Sequence, residues 1–464
     1  MALGNFDSYI KSGGRCHLVG IGGVSMSPLA EVLRGIGLRV SGSDVCDGPA
    51  IERLRSLGID VSIGHSAANV AGADFVIRTA AARDDNVEIA YARETGVPVF
   101  ERSQAWGYIM RGYADAVCVA GTHGKTTTTS MVTHILMAAG ADPTVMIGGT
   151  LPILGSGYRV GSGDVIVLES CEYYDSFLNF SPTVAVIVNI DADHLDYFHN
   201  LENIKASFRN FAALVPPDGA IVCCADDKNT MDALTPLGRE LFTFGTCAGA
   251  RLRGVNTRLD GKTSSTDVLL DGKNLCRLTL RVPGAHNVHN ALAATAAAVA
   301  LGLSADAITR GLQSFEGAGR RLEYKGSING ADIYDDYAHH PSELRVVLDA
   351  VERFGYKRVI LAFQPHTFTR TKALFDDFVA QLRRADALFL AEIYAAREKN
   401  TVGISSRSLA DKIDGAEFCP DLAQLRGRVA ETASPGDVIL TVGAGDIYKV
   451  GESLAAADGE GIGI

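Results

Sequence analysis

The segment VCVAGTHGKTTTTSMVTHIL (117–136) sets a lysine between a glycine and a threonine where an apolar run gives way to a helical pattern. A strand-to-helix turn of small residues brings backbone N–H groups close to a ligand, and the helix N-terminus adds partial positive charge. Lys125 can then reach the outer phosphates of a nucleotide, and the Thr126 hydroxyl can ligate Mg2+. The chemistry this predicts is binding of a nucleoside triphosphate with its metal. The general pattern G-x-x-x-x-G-K-[ST] would place glycine at 119, where Val119 stands. The shorter AGTHGKTT keeps Gly121, Gly124, Lys125 and Thr126.

VLES puts Glu169 at the end of a second apolar run, and VNIDADHLD puts Asp193 and His194 just past a third. In parallel α/β sheets ligands gather at the carboxyl ends of strands, so Lys125, Glu169 and His194 are expected to converge on one edge. A carboxylate and an imidazole there could hold a second Mg2+ or orient a substrate carboxylate, although hard cations prefer oxygen to histidine nitrogen. Farther along, DDYAHHP (335–341) ends a strand-like run with two carboxylates and two imidazoles before Pro341, a residue suited to the first turn of a helix. QPHTFTRT (364–371) presents His366 and Arg370, and arginine suits bidentate binding of carboxylate or phosphate. GAGRRLE (317–323) sets Arg320 and Arg321 at an expected hinge. Near the start, HLVGIGGVSMSP carries Gly20, Gly22 and Gly23, with Ser25 where a dinucleotide fingerprint would have its third spaced glycine. This supports pyrophosphate binding at a helix N-terminus, not a nicotinamide as such. Asp44 closes the next strand in SGSD and suits an acidic group near a ribose hydroxyl.

The elements that must carry these groups alternate between short β-like runs and helical periods, which predicts α/β architecture with mainly parallel sheets. Three blocks are expected, 1–113, 114–318 and 319–464. In the first, Leu29, Val32, Leu33 and Ile36 fall on one helical stripe, and ADFVIRTAA and VPVFER read as strands. In the second, DVIVLES, TVAVIVNI and AIVCCADD read as strands. The turn signals LDGKT and LDGKN make 250–282 a hairpin-rich excursion, and an Ala-rich helix follows VPGAHNVHN. In the third, ADIYDDYAHHP, RVILAFQP, DALFLAEIY and DVILTVGAGD read as strands, with helices over SELRVVLDAVERF and TKALFDDFVAQLRRA. The closing LAAADGEGIGI (454–464) is expected to be loose.

A chain of 464 residues suits roughly two to four domains. The formal net charge of −11 argues against broad nucleic-acid binding and against attraction to an anionic membrane, but not against a small anion held by a local field. Nine scattered cysteines without a C-x-x-C pair read as reduced thiols of a cytosolic protein. MALGNFDSYIKSGG lacks the apolar core of a signal peptide, and no run of about 18 apolar residues offers a membrane span. A cytoplasmic monomer or homodimer is expected, without membrane insertion or a nucleic-acid partner.

Taken in order, HLVGIGGVSMSPLAEVL, VSGSD, AGTHGKTTTT, SFLNFSPTVAVIVNIDADHLDYF, VPGAHNVHNALAA, GAGRRLE, YDDYAHHP, QPHTFTRT and EIYAARE closely resemble the Mur ligases of peptidoglycan synthesis, over nearly the whole chain. DDYAHHP with QPHTFTRT points to the alanine-adding branch. The resemblance implies a Rossmann-like N-terminal domain that grips the UDP part of the substrate, a central P-loop-type ATPase domain, and a Rossmann-like C-terminal domain that completes the site on closure. It implies that ATP, with two Mg2+ ions, drives the joining of the carboxyl of UDP-N-acetylmuramate to the amine of L-alanine through an acyl phosphate.

Carried over residue by residue, Gly121, Thr122, His123, Gly124, Lys125, Thr126 and Thr127 would hold the ATP phosphates, with Lys125 on the β- and γ-phosphates and Thr126 on Mg2+. Glu169 and His194 would hold the second metal near the substrate carboxylate. Asn287 and Asn290 would approach the adenine, and Arg321 and Asp336 would contact the nucleotide from the third domain. His340, His366 and Arg370 would face the muramoyl lactyl group, the alanine, or both, with His340 or a nearby carboxylate as the base that deprotonates the alanine ammonium. Gly22, Gly23, Ser25, Met26 and Ser27 would meet the UDP pyrophosphate, and Asp44 and His65 the uridine side. Lys125, Glu169, His194, His340 and Arg370 would carry the catalysis.

Two positions depart from the family pattern. Cys171 stands where aspartate is common, and Phe208 stands where several Mur ligases carry a carbamylated lysine. Lys205, the nearest lysine, falls on another helical face, so no carbamylation is expected. Three other readings compete: a recycling ligase that adds a tripeptide to the same sugar nucleotide, a nicotinamide dehydrogenase using the first block, and an ATP-dependent sensor of a cell-wall nucleotide.

Overall fold

A computed structural model of the chain describes residues 6–79, 81–396 and 398–459. Of the motifs above, ADFVIRTAA includes Ala80 and EIYAARE includes Arg397, both outside the described residues. The chain divides into two compact units, one of residues 1–255, 268–276 and 290–312 and one of residues 256–267, 277–289 and 313–464.

The first unit opens with five short strands, β1 (Arg15–Val19), β2 (Arg39–Asp44), β3 (Asp60–Ile63), β4 (Phe75–Arg78) and β5 (Val99–Glu101). All pair in parallel, in the order β3-β2-β1-β4-β5. The order switches direction beside β1, and the glycine turn leaves the carboxyl end of that strand. Such a switch point is where open α/β sheets bind ligands. Helix Met26–Gly35 follows with Leu29, Val32 and Leu33 buried, as their spacing predicts. Ile36 departs from the expected stripe: the Gly35-Ile36-Gly37 run stops the helix, and Ile36 is left exposed as its C-cap.

A buried polar cluster backs this sheet. Glu88 is fully buried and accepts hydrogen bonds from Ser43 Oγ at 2.6 Å and Asn69 Nδ2 at 2.6 Å. It also meets His65 Nδ1 at 3.0 Å and His17 Nε2 at 3.7 Å. Burial opposes ionisation here, but nearby His17 and the hydrogen bonds from Ser43 and Asn69 outweigh it and lower the carboxyl to about 2.

Ten strands build the next sheet: β6 (Asp115–Ala120), β7 (Thr144–Leu151), β8 (Ser156–Arg159), β9 (Val165–Glu169), β10 (Val184–Ile187), β11 (Ala220–Cys224), β12 (Phe242–Gly245), β13 (Leu252–Asp260), β14 (Thr263–Leu270) and β15 (Lys273–Leu280). Their order is β15-β14-β13-β12-β11-β10-β6-β9-β7-β8. Central strand β6 is parallel to both neighbours, with Val119 level with Glu169 on β9 and Ala120 level with Ile187 on β10. These strands read as unbroken apolar runs because both faces are covered: Ala116–Ala120, Ile166–Leu168 and Val184–Ile187 are all buried. The expected hairpin-rich excursion is β13 to β15, joined by turns at 261–262 and 271–272.

Within residues 313–464 of the second unit, six strands form a third sheet, β16 (Glu323–Ile328), β17 (Ala331–Asp336), β18 (Val359–Phe363), β19 (Ala387–Ala391), β20 (Glu417–Cys419) and β21 (Val438–Val442), in the order β16-β17-β21-β18-β19-β20. All pair in parallel except β16 with β17. Pro341 stands in the first turn of helix Pro341–Val351, as its position predicts. The helix expected over TKALFDDFVAQLRRA is two helices, Phe368–Ala373 and Phe375–Leu382, broken at Leu374. The loose tail expected from 454 is helical as far as Gly459, because Leu454 is fully buried in a cluster with Ile333, Leu425 and Val450. Residues 460–464 lie outside the described residues. Among the described residues no helix is long and apolar enough to cross a membrane.

The lowered pKa of Glu88 has a sign. A carboxyl depressed in the folded state stabilises above its unfolded pKa, and that contribution is lost as pH falls through the folded value. Between pH 5 and about 2 the protein should therefore lose stability, and Glu88→Gln should flatten that slope and lower Tm at pH 7. Thermal unfolding followed by circular dichroism across this range checks both; an unchanged slope in the variant would refute the assignment.

Candidate active site

The parallel order of β10, β6 and β9 brings three strand exits together in the first unit. From β6 comes the loop into helix Lys125–Ala138. Lys125 turns its ammonium back into that loop. It donates to the carbonyls of Gly121 and Thr122, the latter at 3.1 Å, and to Glu172 Oε2 and Oε1 at 3.0 and 3.3 Å. Burial disfavours the charged lysine, but Glu172 and, behind it, Glu169 hold the pKa above the usual lysine range.

Glu169 ends β9 and is fixed from two sides: it accepts from Thr126 Oγ1 at 3.0 Å and from the backbone N–H of Gly148 at 2.6 Å. Past β10, His194 adopts a left-handed backbone with φ of 52°. Its ring stacks on Tyr173 with centroids 4.3 Å apart, and Nε2 lies 3.8 Å from Asp193 and 4.0 Å from Glu172. With Glu169 close enough to act on the lysine's charge, Lys125 and His194 thus share one carboxylate, Glu172, which the sequence reading passed over. Its signal was present: a second acid three residues after Glu169 on the same strand exit.

Asn189 is a second residue that motif reading missed. Its Oδ1 accepts from the His123 N–H at 2.8 Å, its Nδ2 donates to the His123 carbonyl at 3.0 Å, and its own carbonyl accepts from the Thr122 N–H at 3.1 Å. The loop is thereby clamped to the strand exit of β10. Thr122 adds a bond from the Asp191 N–H to its hydroxyl at 2.8 Å. Gly124 is required where it stands: φ is +81°, and a Cβ would lie 2.5 Å from Asn290 Oδ1. Asn290 therefore braces this loop, its amide oxygen accepting from Thr128 Oγ1 at 3.3 Å. Thr127 is buried at the start of the same helix. Lys205 turns to Glu202 at 3.2 Å and Asp232 at 3.6 Å, while Phe208 packs edge-on against Phe177.

The glycine turn after β1 is held by Asp44, which accepts from the Gly22 N–H at 2.8 Å and the Val45 N–H at 2.8 Å. One carboxylate oxygen thus fixes the glycine turn and the other the backbone that follows Asp44 itself. The Met26 side chain is 1% exposed in the core, and its N–H donates to the Gly23 carbonyl. Ser27 Oγ also donates to Gly23 O, at 3.1 Å. Among the described residues Ser25 Oγ is buried with no hydrogen-bond partner, as a residue awaiting a ligand oxygen would be. His65 lies on Ser43 and Glu88.

In the second unit, Asp336 ends β17 and accepts backbone N–H groups from Leu322 and Ala338, each at 2.8 Å. Burial pushes its carboxyl up to about 6 against the pull of Arg321. Its oxygens hold the backbone at Leu322, beside the arginine pair, and at Ala338. Arg320 is locked by Asp335 at 2.9 Å and by the Gly443 carbonyl, whereas Arg321 lies over the Tyr337 ring at 5.5 Å. His340 caps helix Pro341–Val351: its Nδ1 accepts from the Ser342 N–H at 3.2 Å. In a neutral ring that arrangement leaves the proton on Nε2, so the ring presents a donor there. Arg370 donates to His366 Nδ1 at 3.2 Å, and His366 stacks on Tyr394. Asn287 Nδ2 donates to the Pro283 carbonyl at 2.7 Å.

Comparisons with known proteins match the same three segments. The Mur ligase family catalytic domain matches residues 15–114, the Mur ligase middle domain residues 119–298, and the Mur ligase glutamate ligase domain residues 320–445. The chain belongs to the Mur ligase family. UDP-N-acetylmuramate–L-alanine ligase of Caldanaerobacter subterraneus is 45% identical over 445 residues, covering 95% of this chain and 97% of that one. The enzyme of that name in Acetivibrio thermocellus is 45% identical over 443 residues, with 94% of each covered. Among solved structures, UDP-N-acetylmuramate–alanine ligase from Thermotoga maritima aligns with a TM-score of 0.81 at 30% identity, over 97% of this chain and 100% of that one. A murein peptide ligase from Psychrobacter arcticus shares the fold, with a TM-score of 0.68 at 24% identity over 97% and 100%. Three α/β domains are the family's organisation, and the three sheets follow it.

A Mur ligase needs ATP, and the residues present fit it. Among the described residues no acceptor is assigned to the backbone N–H groups of Gly124, Lys125 and Thr126, the orphan donors of a helix start that a phosphate satisfies. Thr126 and Glu169 set two oxygens side by side, the donor type that Mg2+ prefers. The Lys125–Glu172 pair makes a two-part prediction. Lys125→Ala should weaken MgATP binding about 10- to 100-fold, the worth of a charged hydrogen bond of about 1.5–3 kcal/mol, and should lower Tm by leaving Glu172 buried and unpaired. Adding Glu172→Gln should restore Tm without restoring affinity. Calorimetric titration and thermal unfolding of both variants check this; equal Tm in the single and double variants would contradict it.

Proposed function

We propose that this Mur ligase joins L-alanine to the carboxyl of UDP-N-acetylmuramate at the expense of ATP, in peptidoglycan precursor synthesis. The observation that carries the reading is the convergence of Lys125, Glu169, Glu172 and His194 at the exits of β6, β9 and β10. Its support in comparison is the shared name of relatives at 45% identity over nearly the full chain. The proposed domains are 1–113 for the UDP moiety, 114–318 for ATP and 319–464 for completing the site. The compartment is proposed to be the cytoplasm.

A carboxylate is a poor electrophile, so the chemistry requires activation. Transfer of the γ-phosphoryl of ATP to a carboxylate oxygen gives an acyl phosphate and ADP. The alanine amine then attacks the carbonyl carbon, the C–O bond to phosphate breaks, and the amide and phosphate are released. Both partners of the first step are anions, and Lys125 offsets that repulsion from a position fixed by two carbonyls and Glu172. Thr126 and Glu169 would hold one Mg2+ and His194 with neighbouring carboxylates a second, supplying charge neutralisation at the phosphates. Glu172 sets the lysine's direction, and Asn189 keeps the loop N–H groups aimed outward. Arg370, oriented by His366, is suited to a carboxylate on either substrate. With Nδ1 of His340 engaged by Ser342, the base for the alanine ammonium is a carboxylate in this reading.

The deciding assay supplies L-alanine, L-serine, glycine and the recycled tripeptide separately with UDP-N-acetylmuramate, and reads ADP. ADP release should be greatest with L-alanine; tripeptide-dependent release would instead identify a recycling ligase, and ATP binding without ADP release a sensor. Oxygen-18 placed in the muramoyl carboxylate should appear in the released phosphate, and its absence would eliminate the acyl phosphate.

A further inference from the structure

Trp106 is the only tryptophan in the chain and is 1% exposed. It lies on helix Arg102–Met110, and its indole Nε1 donates to the backbone carbonyl of Ser25 at 3.3 Å. Ser25 ends the glycine turn, and its own hydroxyl is the buried, unpartnered one. The next residue on the helix, Gly107, meets a different neighbour. A Cβ there would lie 1.7 Å from the carbonyl oxygen of Asn179 and 2.8 Å from its carbonyl carbon, so backbone presses on backbone with no room for a methyl group. Asn179 Nδ2 adds a hydrogen bond to Ser103 Oγ at 3.0 Å. Asn179 closes the 173–179 segment, which follows directly on Glu172 and contains Tyr173, the ring stacked on His194. Within that segment Tyr174 and Asp175 hold left-handed φ values of 54° and 53°. Such conformations persist only where the surroundings fix them.

We propose that Trp106 is a positioning residue: through helix Arg102–Met110 it couples occupancy of the Ser25 turn to the geometry of Glu172 and His194, so that binding of the sugar nucleotide and of ATP assist each other. The inference rests on the reading that this turn takes a UDP pyrophosphate. Its physical basis is a close-packed contact with no slack, which passes on a small shift instead of absorbing it. Any such coupling is reciprocal, each ligand tightening the other by the same factor.

The test uses UDP and a non-hydrolysable ATP analogue on the full chain. UDP should change the emission of the lone tryptophan, and saturating UDP should tighten the analogue about fivefold or more, the lower end of usual couplings. Trp106→Phe keeps a ring but removes the N–H, and should bring that factor to about one. Asn179→Ala removes the hydrogen bond to Ser103 that ties the 173–179 segment to this helix while leaving the backbone contact at Gly107; it should lower the factor while leaving the Kd of UDP unchanged, and it decides the matter if the tryptophan variant does not fold. A factor of one in the wild type with intact UDP binding, or an undiminished factor in the variants, overturns the inference alone. Failure of UDP to bind the wild type overturns the pyrophosphate reading and this inference with it.

Discussion

Lys125 carries its positive charge into a loop from which water is largely excluded, and it is stable there because two backbone carbonyls and the Glu172 carboxylate surround it. An unpaired ammonium at that depth would neutralise itself instead. Much of the first unit can be read as the means of keeping this arrangement in place. Asn189 ties the loop to β10, Asn290 fills the space beneath Gly124, and Tyr173 seats His194 beside the same carboxylate. The parallel sheet supplies the frame, since only parallel strands deliver their exits to one edge.

The pairing also sets what ATP must do on arrival. In this arrangement Lys125 is neutralised by Glu172, and a γ-phosphate competes for the same ammonium while the orphan N–H groups of the helix start draw it in. His194 lies 4.0 Å from the same carboxylate. A site that holds its own charges balanced before substrate enters can bind a highly charged ligand without first burying an isolated charge.

Much of this was legible in the sequence. The strand runs, the glycine turns, and the placement of Lys125, Glu169 and His194 after strands all follow from local pattern, because apolar runs and turn residues are local properties. What was missed is the kind of information that pattern does not carry. Glu172 and Asn189 act through contacts between separate strand exits, and nothing in ESCEYYD or VNID announces their partners. Ile36 and the tail after Leu454 went wrong for opposite reasons: a glycine pair cut one helix short, and a distant core held another together. Asp336 and His340 were expected to be ligand contacts from the family resemblance, and Asp44 from its spacing as well; that each also fixes nearby backbone is a contact local pattern does not show.

The sequence by itself determined the α/β class, the phosphate-binding loop and the family, since these rest on residue order and short-range geometry. Only the tertiary structure decided which carboxylate faces the lysine and which nitrogen of His340 is engaged. It also decided that one tryptophan-bearing helix touches both the Ser25 turn and the segment beyond Glu172. Those facts depend on distances between residues far apart in the chain, and such distances are set by packing, which no local stretch of sequence contains.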